Sequence, residues 1–359
     1  MKTLFLHEVH QKSGASFISR GDYQVPCDYG DLRAELNAIN QTVALIDRSY
    51  LGKITVSGND TLDLINRIST NDLHYLMVNT ASDTVFATPK GRLVDYCRVL
   101  NTREHLLLIT SFPHVNHLMD WINRFIILED AEVKDASDSY AWFTVIGPRS
   151  LTFLNRISGR NVSENDEVIW IEKGEIGFPV IKNSQFKYPA YDLCFKTEDA
   201  WPVIDLLLPD LKAVRGELIG DTAFQIIRVE SGIPDGGREI TQDYNPHEAR
   251  LTHAVSFTKG CYTGQEVIAR LDTYDKVQKY IMIVELSEPL PGILPAELFI
   301  DADSVGHLTS YIYDPVTKRS IGLGYLKKMY TTEDDIYVEV KTESHRIPAR
   351  LRIPPKSVP

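Results

Sequence analysis

"TVSGNDTLDLINRI" occupies residues 55–68, and "TVIGPRSLTFLNRI" occupies residues 144–157. Aligned at a constant offset of 89, they share Thr-Val, a Gly, a Leu and a closing Asn-Arg-Ile, seven identities in fourteen positions. Each copy reads as a strand, a tight glycine turn and an amphipathic helix. Asp60 or Pro148 stands at the helix start, and apolar residues follow at helical spacing. One supersecondary unit used twice predicts a duplicated α+β architecture.

The sequence after the first copy extends that half. Residues 84–100, TVFATPKGRLVDYCRVL, predict a hairpin around Pro89-Lys90-Gly91, and His105 to Thr110 predicts a further strand. Ser111-Phe112-Pro113 then opens a helix whose Val115, Leu118, Met119, Ile122, Phe125 and Ile126 share one face, and strand AEVKD closes the unit. From Ala141 to about Asp221 the same mixture recurs less clearly. From about Tyr280 the pattern changes to short alternating strands, IMIVEL, ELFID, IGLGYL and IYVEVK, the signature of a small β-barrel or sandwich. The expected division is 1–278 for the two α+β lobes and 279–359 for an all-β domain.

Composition narrows the function. With 43% hydrophobic and 24% charged residues in 359, the chain can bury more than one core. A net charge of −11 without a Lys/Arg block argues against nucleic acid as a partner. MKTLFLHEVH has no apolar run suited to a signal peptide, and no later stretch approaches the ~20 apolar residues of a membrane span, so no membrane association and a cytoplasmic location are expected. Cys27, Cys97, Cys194 and Cys261 are scattered, with neither metal-type nor disulfide-type spacing.

Two carboxylates fall where apolar residues belong. On strand 92–100 one face carries Leu93, Asp95, Cys97 and Val99, so Asp95 interrupts an apolar row. Such an acid is either satisfied by backbone amides or a nearby Arg, or it grips a ligand nitrogen. In DTAFQIIRVES, 221–231, Glu230 shares a stripe with Ala223, Ile226 and Ile227, in the last turn where the helix dipole disfavours it. A cation or donor should compensate it, and Arg228, two positions away, is not the obvious partner. The long polar loop 233–251 suggests function or mobility. In TKGCYTG, Cys261 lies outside regular structure near Lys259, which favours some thiolate character; an incidental buried cysteine is the plainer alternative. His114, His117 and Asp120 have helical metal-site spacing, but two of them lie beside the apolar stripe, which reads as a solvated helix face with no metal.

KGCYTGQE, 259–266, resembles the signature of the YgfZ-type folate-binding proteins, relatives of the glycine-cleavage T-protein (aminomethyltransferase, GcvT). The resemblance extends over 25–60, ISTNDL (68–73), KGRLVDY (90–96), RVESGIPDGGREI (228–240), NPHEARL (245–251) and GHLTSYIYDP (306–315). It implies duplicated ferredoxin-like lobes forming a folate-binding domain with a C-terminal barrel, and tetrahydrofolate or a one-carbon derivative as cofactor. By the same resemblance, Asp95 lies beside the reactive nitrogens, and Arg228, Glu230 and Lys259 complete the folate contacts. Cys261, with Asp95, carries whatever chemistry occurs. The implied role is assembly or repair of iron–sulfur proteins, which would be the client partners.

Two features depart from an aminomethyltransferase. The T-protein pattern Y-T-G-E-x-G is replaced by QFKYPAYDL, 185–193, and the usual Asn-Ala pair by Thr110-Ser111. A folate-dependent aminomethyltransferase and a non-enzymatic folate-binding scaffold are the alternatives.

Overall fold

The computed structural model describes residues 1–355. An N-terminal segment of β1 (Lys2–Thr3), α1 (His7–Lys12), β2 (Ser16–Arg20) and β3 (Tyr23–Asp28) forms a small sheet of order β1-β3-β2, followed by α2 (Leu32–Gln41) and β4 (Ala44–Asp47). The first lobe comprises β5 (Gly52–Ser57), α3 (Thr61–Ile68), β6 (Thr80–Ala87), β7 (Leu93–Asn101), β8 (Leu106–Thr110), α4 (Val115–Asn123) and β9 (Glu132–Asp135). The second comprises β10 (Tyr140–Ile146), α5 (Ser150–Ser158), β11 (Val168–Lys173), β12 (Ile176–Lys182), β13 (Ala190–Lys196), α6 (Ala200–Ala213) and β14 (Glu217–Leu218).

The α+β duplication is therefore as predicted, and each lobe places three strands between its helices, where a minimal ferredoxin-like order has two. The first sheet runs β6-β7-β8-β5-β9 and the second β11-β12-β13-β10-β4-β14. The pairing shows what the repeat did not. β4, which leads into the first repeat, pairs antiparallel with β10 of the second, while β9, which leads into the second, pairs antiparallel with β5 of the first. So β9 closes the first sheet as predicted for AEVKD, while β4 completes the sheet of the other lobe.

Strand alternation assigns the side chains to layers. Leu106 and Leu108 of β8, with Cys97 and Val99 of β7, face the helices of the first lobe. Leu107, Ile109 and Leu100 face the other way, onto Trp142, Ile181 and Cys194 of the second lobe. The predicted stripe of α4 holds through Leu118 and Ile122, but the helix ends at Asn123, and Phe125 and Ile126 pack from the following turn.

After α7 (Asp221–Glu230), a long loop and α8 (Gln265–Thr273), the chain closes a six-stranded barrel of β15 (Lys279–Leu286), β16 (Ala296–Ile300), β17 (Asp303–Asp314), β18 (Arg319–Lys327), β19 (Tyr337–Lys341) and β20 (Arg346–Arg352). A shared core joins α7 and the loop residues Ile240, Tyr244 and Leu251 to Ile281, Ile321, Leu323 and Tyr325 of the barrel. No helix among the described residues is long and apolar enough to cross a membrane.

Candidate functional site: a cavity between the intertwined lobes

The inward faces of the two sheets do not close completely. They leave a cavity with about 600 Å³ of unfilled space, its open side included. Tyr96, Arg98 and Ser111 come from the first lobe, Trp142, Asn183 and Asp192 from the second, Arg48 from the connection between β4 and β5, and Pro234, Asp235 and Ile240 from the loop after α7. A second chamber, with about 960 Å³ of unfilled space, shares Gln185, Ile233 and Pro234 with the first and extends past Arg250 and His253 to Pro354.

The charges around the inner chamber are mostly neutralised in place. Arg98 is forked onto Asp83 at 2.8 and 3.0 Å and reaches Asp192 across the lobes at 2.5 Å. Asp192 also accepts from Thr144 Oγ1 at 2.6 Å and Asn183 Nδ2 at 2.8 Å. Asp235 is held by Arg20 at 2.7 Å. Burial, reinforced by the negative charge of Asp83, pushes the Tyr96 phenol well above its usual 10, so it stands on the cavity wall as a neutral group. Arg48 differs: it makes no ion pair among the described residues, and its Nε is buried without an acceptor.

Asp95 is fully buried and points to the helix side of its sheet, one position out of phase with the cavity-lining Tyr96. Its carboxylate accepts from the backbone N–H groups of Tyr96 (2.9 Å) and Ser111 (3.3 Å), from the Ser111 hydroxyl in a short hydrogen bond, and lies 3.2 Å from His114 Nδ1. No arginine is involved. Burial opposes charge on His114, but the hydrogen bond and field of Asp95 outweigh it and leave its pKa raised above 6.5. The solvated-face reading therefore holds for exposed His117 and Asp120 but not for His114, which turns inward to the acid. This is not a nucleophile–base relay, because the acid contacts the hydroxyl directly instead of standing behind an intervening imidazole. Ser111, which lines the cavity, is the atom path by which Asp95 reaches it.

The other expected residues lie apart from the cavity wall. Arg228 is buried and spends its donors on Gln225, the Ile233 carbonyl, Ser310 and Glu239. A bulge between Leu308 and Ser310 aims Thr309 and Ser310 at the same Glu239, tying α7 to the barrel. Glu230 is compensated as expected, by Lys187 of the second lobe at 2.5 Å and Arg319 of the barrel at 2.7 Å. Lys259 donates to three carbonyls at the end of α3, those of Asn66, Ser69 and Asn71, and burial lowers its pKa to about 8.

Cys261 is exposed and does not line either chamber. Its loop is fixed to the first lobe by Lys259, by the Thr263 N–H on the Arg67 carbonyl, and by Gly264, at φ +84, packed on Thr88. Sequence reading missed Arg48, Arg98, Trp142 and Asp192, and it noted Ser111 and His114 without joining them to Asp95. Asp192 had a readable sign: Ala190, Asp192 and Cys194 repeat on β13 the acid-in-an-apolar-row pattern of Asp95 and Cys97. No group of three or more His, Cys, Asp or Glu placed to hold a metal ion occurs among the described residues.

Two α+β lobes around a cavity, closed by a barrel, define a class. The chain belongs to the GCVT N-terminal domain family, matched over residues 6–259, and residues 281–356 match the glycine cleavage T-protein C-terminal barrel domain. It is 29% identical over 298 residues to a chloroplastic protein of Arabidopsis thaliana that carries a provisional transferase name, covering 82% of this chain and 67% of that one. It is 23% identical to the aminomethyltransferase of Bacillus licheniformis, covering 98% and 97% of the two chains. The glycine cleavage system aminomethyltransferase T from Bartonella henselae has the same fold, with a TM-score of 0.82 at 19% identity over 98% of this chain and 96% of that one.

Proposed function

We propose that the protein binds a reduced folate in the central cavity and acts as an accessory factor for assembly or repair of iron–sulfur proteins, as its resemblance to the YgfZ type suggests. The observation that carries the folate reading is the inner chamber itself. Flat or apolar walls from Trp142, Tyr96, Ile233 and Pro234 sit beside fixed polar groups, which suits a planar heteroaromatic ring.

Asp95 acts on the ring through the Ser111 hydroxyl, Arg228 and Glu230 position the walls, and Lys259 fixes the Cys261 loop to the first lobe. Cys261 faces outward, where a protein client can reach it. Both Asp95 oxygens being engaged favours this reading over one-carbon transfer, which needs an acid in contact with the folate nitrogens.

Titration with tetrahydrofolate and its formyl derivative, read by tryptophan fluorescence, tests the binding. Saturable quenching that is lost in Trp142→Phe supports it, and the absence of any saturable change in the wild type refutes it.

The second reading, a folate-dependent aminomethyltransferase, is favoured by the names of relatives that align along nearly the whole chain. Turnover with an aminomethylated lipoyl carrier protein would establish it. The expected result is none.

A further inference from the structure

Every arginine around the inner chamber is neutralised except one. Arg98 and Arg20 each meet two carboxylates. Arg48 meets none among the described residues: one Nη lies 3.4 Å from Thr144 Oγ1, the guanidinium stacks on Phe224 at 4.5 Å, and Nε is buried without an acceptor. Thr144 Oγ1, which donates its own proton to Asp192, accepts from Arg48 only at this long distance and from one N–H, so most of the guanidinium's donor capacity is unmet. A partly desolvated guanidinium with unmet donors on a cavity wall is unfavourable in the empty protein and favourable once an acceptor oxygen arrives. Stacking on Phe224 holds the planar group in one orientation, which lowers the entropy lost when that acceptor binds.

The surrounding wall indicates which oxygen is met. Leu51, Trp142, Ile109 and Ile240 line the same chamber as Arg48, so the part of a ligand that reaches it is the ring. A flexible acidic tail fits the more open second chamber, which has Arg250 and His253 on its wall.

We propose that Arg48 is a specificity-determining residue of the central cavity, donating to the carbonyl oxygen of a bicyclic pterin ring and selecting oxo-pterins over their amino analogues. This rests on the folate reading above and adds the orientation of the ring.

The test compares wild type, Arg48→Met and Arg48→Lys with three ligands: tetrahydrofolate, tetrahydropteroate, which lacks the glutamate, and the analogue whose ring carbonyl is replaced by an amino group. Arg48→Met is expected to weaken tetrahydrofolate and tetrahydropteroate equally, on the order of 10- to 100-fold, as for loss of a charged hydrogen bond. Arg48→Lys should recover part of that loss. The wild type should disfavour the amino analogue, and Arg48→Met should lose the discrimination. Unchanged melting temperatures establish that the variants fold. If tetrahydropteroate binding is indifferent to Arg48→Met while tetrahydrofolate binding is not, Arg48 meets the tail and the proposal is overturned. Undiminished binding of both by a folded Arg48→Met overturns it as well. A wild type that binds none of the three ligands removes the folate reading, and this assignment with it.

Discussion

The Arg98 guanidinium of the first lobe stands 2.5 Å from the Asp192 carboxylate of the second, bridging the two sheets. With Asp83 on its other edge, Arg98 compensates two buried or half-buried acids at once. Burial tends to raise Asp83, but Arg98 outweighs it and holds that carboxyl below its usual 3.8.

Arg98→Met should therefore destabilise the protein by about 3–5 kcal/mol, the cost of stranding charges in the interior. Because the folded-state pKa of Asp83 is depressed, its contribution is present above pH 3.8 and disappears as pH falls through the lower folded value. Urea unfolding of Arg98→Met and of Arg98→Met with Asp192→Asn checks this. The double variant should recover part of the loss, and a single-variant cost under about 1 kcal/mol contradicts the account.

His114 and Asp95 make a prediction of the opposite sign. His114 is raised above 6.5, so its stabilising contribution is complete below pH 6.5 and fades as pH climbs through the raised folded value. Asp95→Asn should return the His114 titration, followed by NMR, to 6.5 or lower and flatten that slope. An unmoved His114 resonance would show that the contact does not persist in solution.

Lys53 is fully buried, holding the Ser49 carbonyl at 2.5 Å and the Ser137 carbonyl at 3.1 Å. Burial lowers its pKa from 10.5 to about 8, although Asp47 pulls the other way. Between pH 8 and 10 the unfolded chain holds the Lys53 proton that the folded chain has released, so Lys53 adds stability as pH rises, while Cys97 and Cys194, both raised by burial, oppose it above the usual 9 of cysteine. Above the usual 10 of tyrosine the trend reverses, because Tyr29, Tyr96 and Tyr325 are all raised by burial. Lys53→Met should reduce the rise, measured as the denaturation midpoint at pH 7.5 and 9.5. Lys259, also lowered to about 8, acts in the same direction as Lys53.

Among the cysteines, Cys261 should react first with an aromatic disulfide under native conditions. Cys97 and Cys194 are buried with raised pKa values, and Cys27 lies against Thr222. Cys261→Ser should abolish the fast phase. Folate should not protect the thiol, since Cys261 lies on neither chamber. Strong protection would return the thiol to the cavity.

What the sequence determined was local and periodic. The fourteen-residue repeat, the Pro89–Gly91 hairpin and the alternating strands after Tyr280 are visible because apolar spacing reports which face of an element is buried. The oddity of Asp95 and the need for a partner at Glu230 were equally visible, since an acid in an apolar row breaks that spacing. The partners themselves were not. Ser111 and His114 meet Asp95 only because β7, β8 and the start of α4 converge, and Lys187 and Arg319 reach Glu230 from two different domains.

Tertiary structure alone decided that β4 joins the second sheet, because a strand's hydrogen-bonding edge has no side-chain signature that names its neighbour. The same geometry decided that residues one step out of phase with Asp95, Tyr96 and Arg98, face the cavity. It also decided that Arg48, unremarkable in sequence, is the inner-chamber guanidinium left without a counter-charge among the described residues. Burial and pairing belong to the three-dimensional neighbourhood, and the order of residues along the chain does not encode them locally.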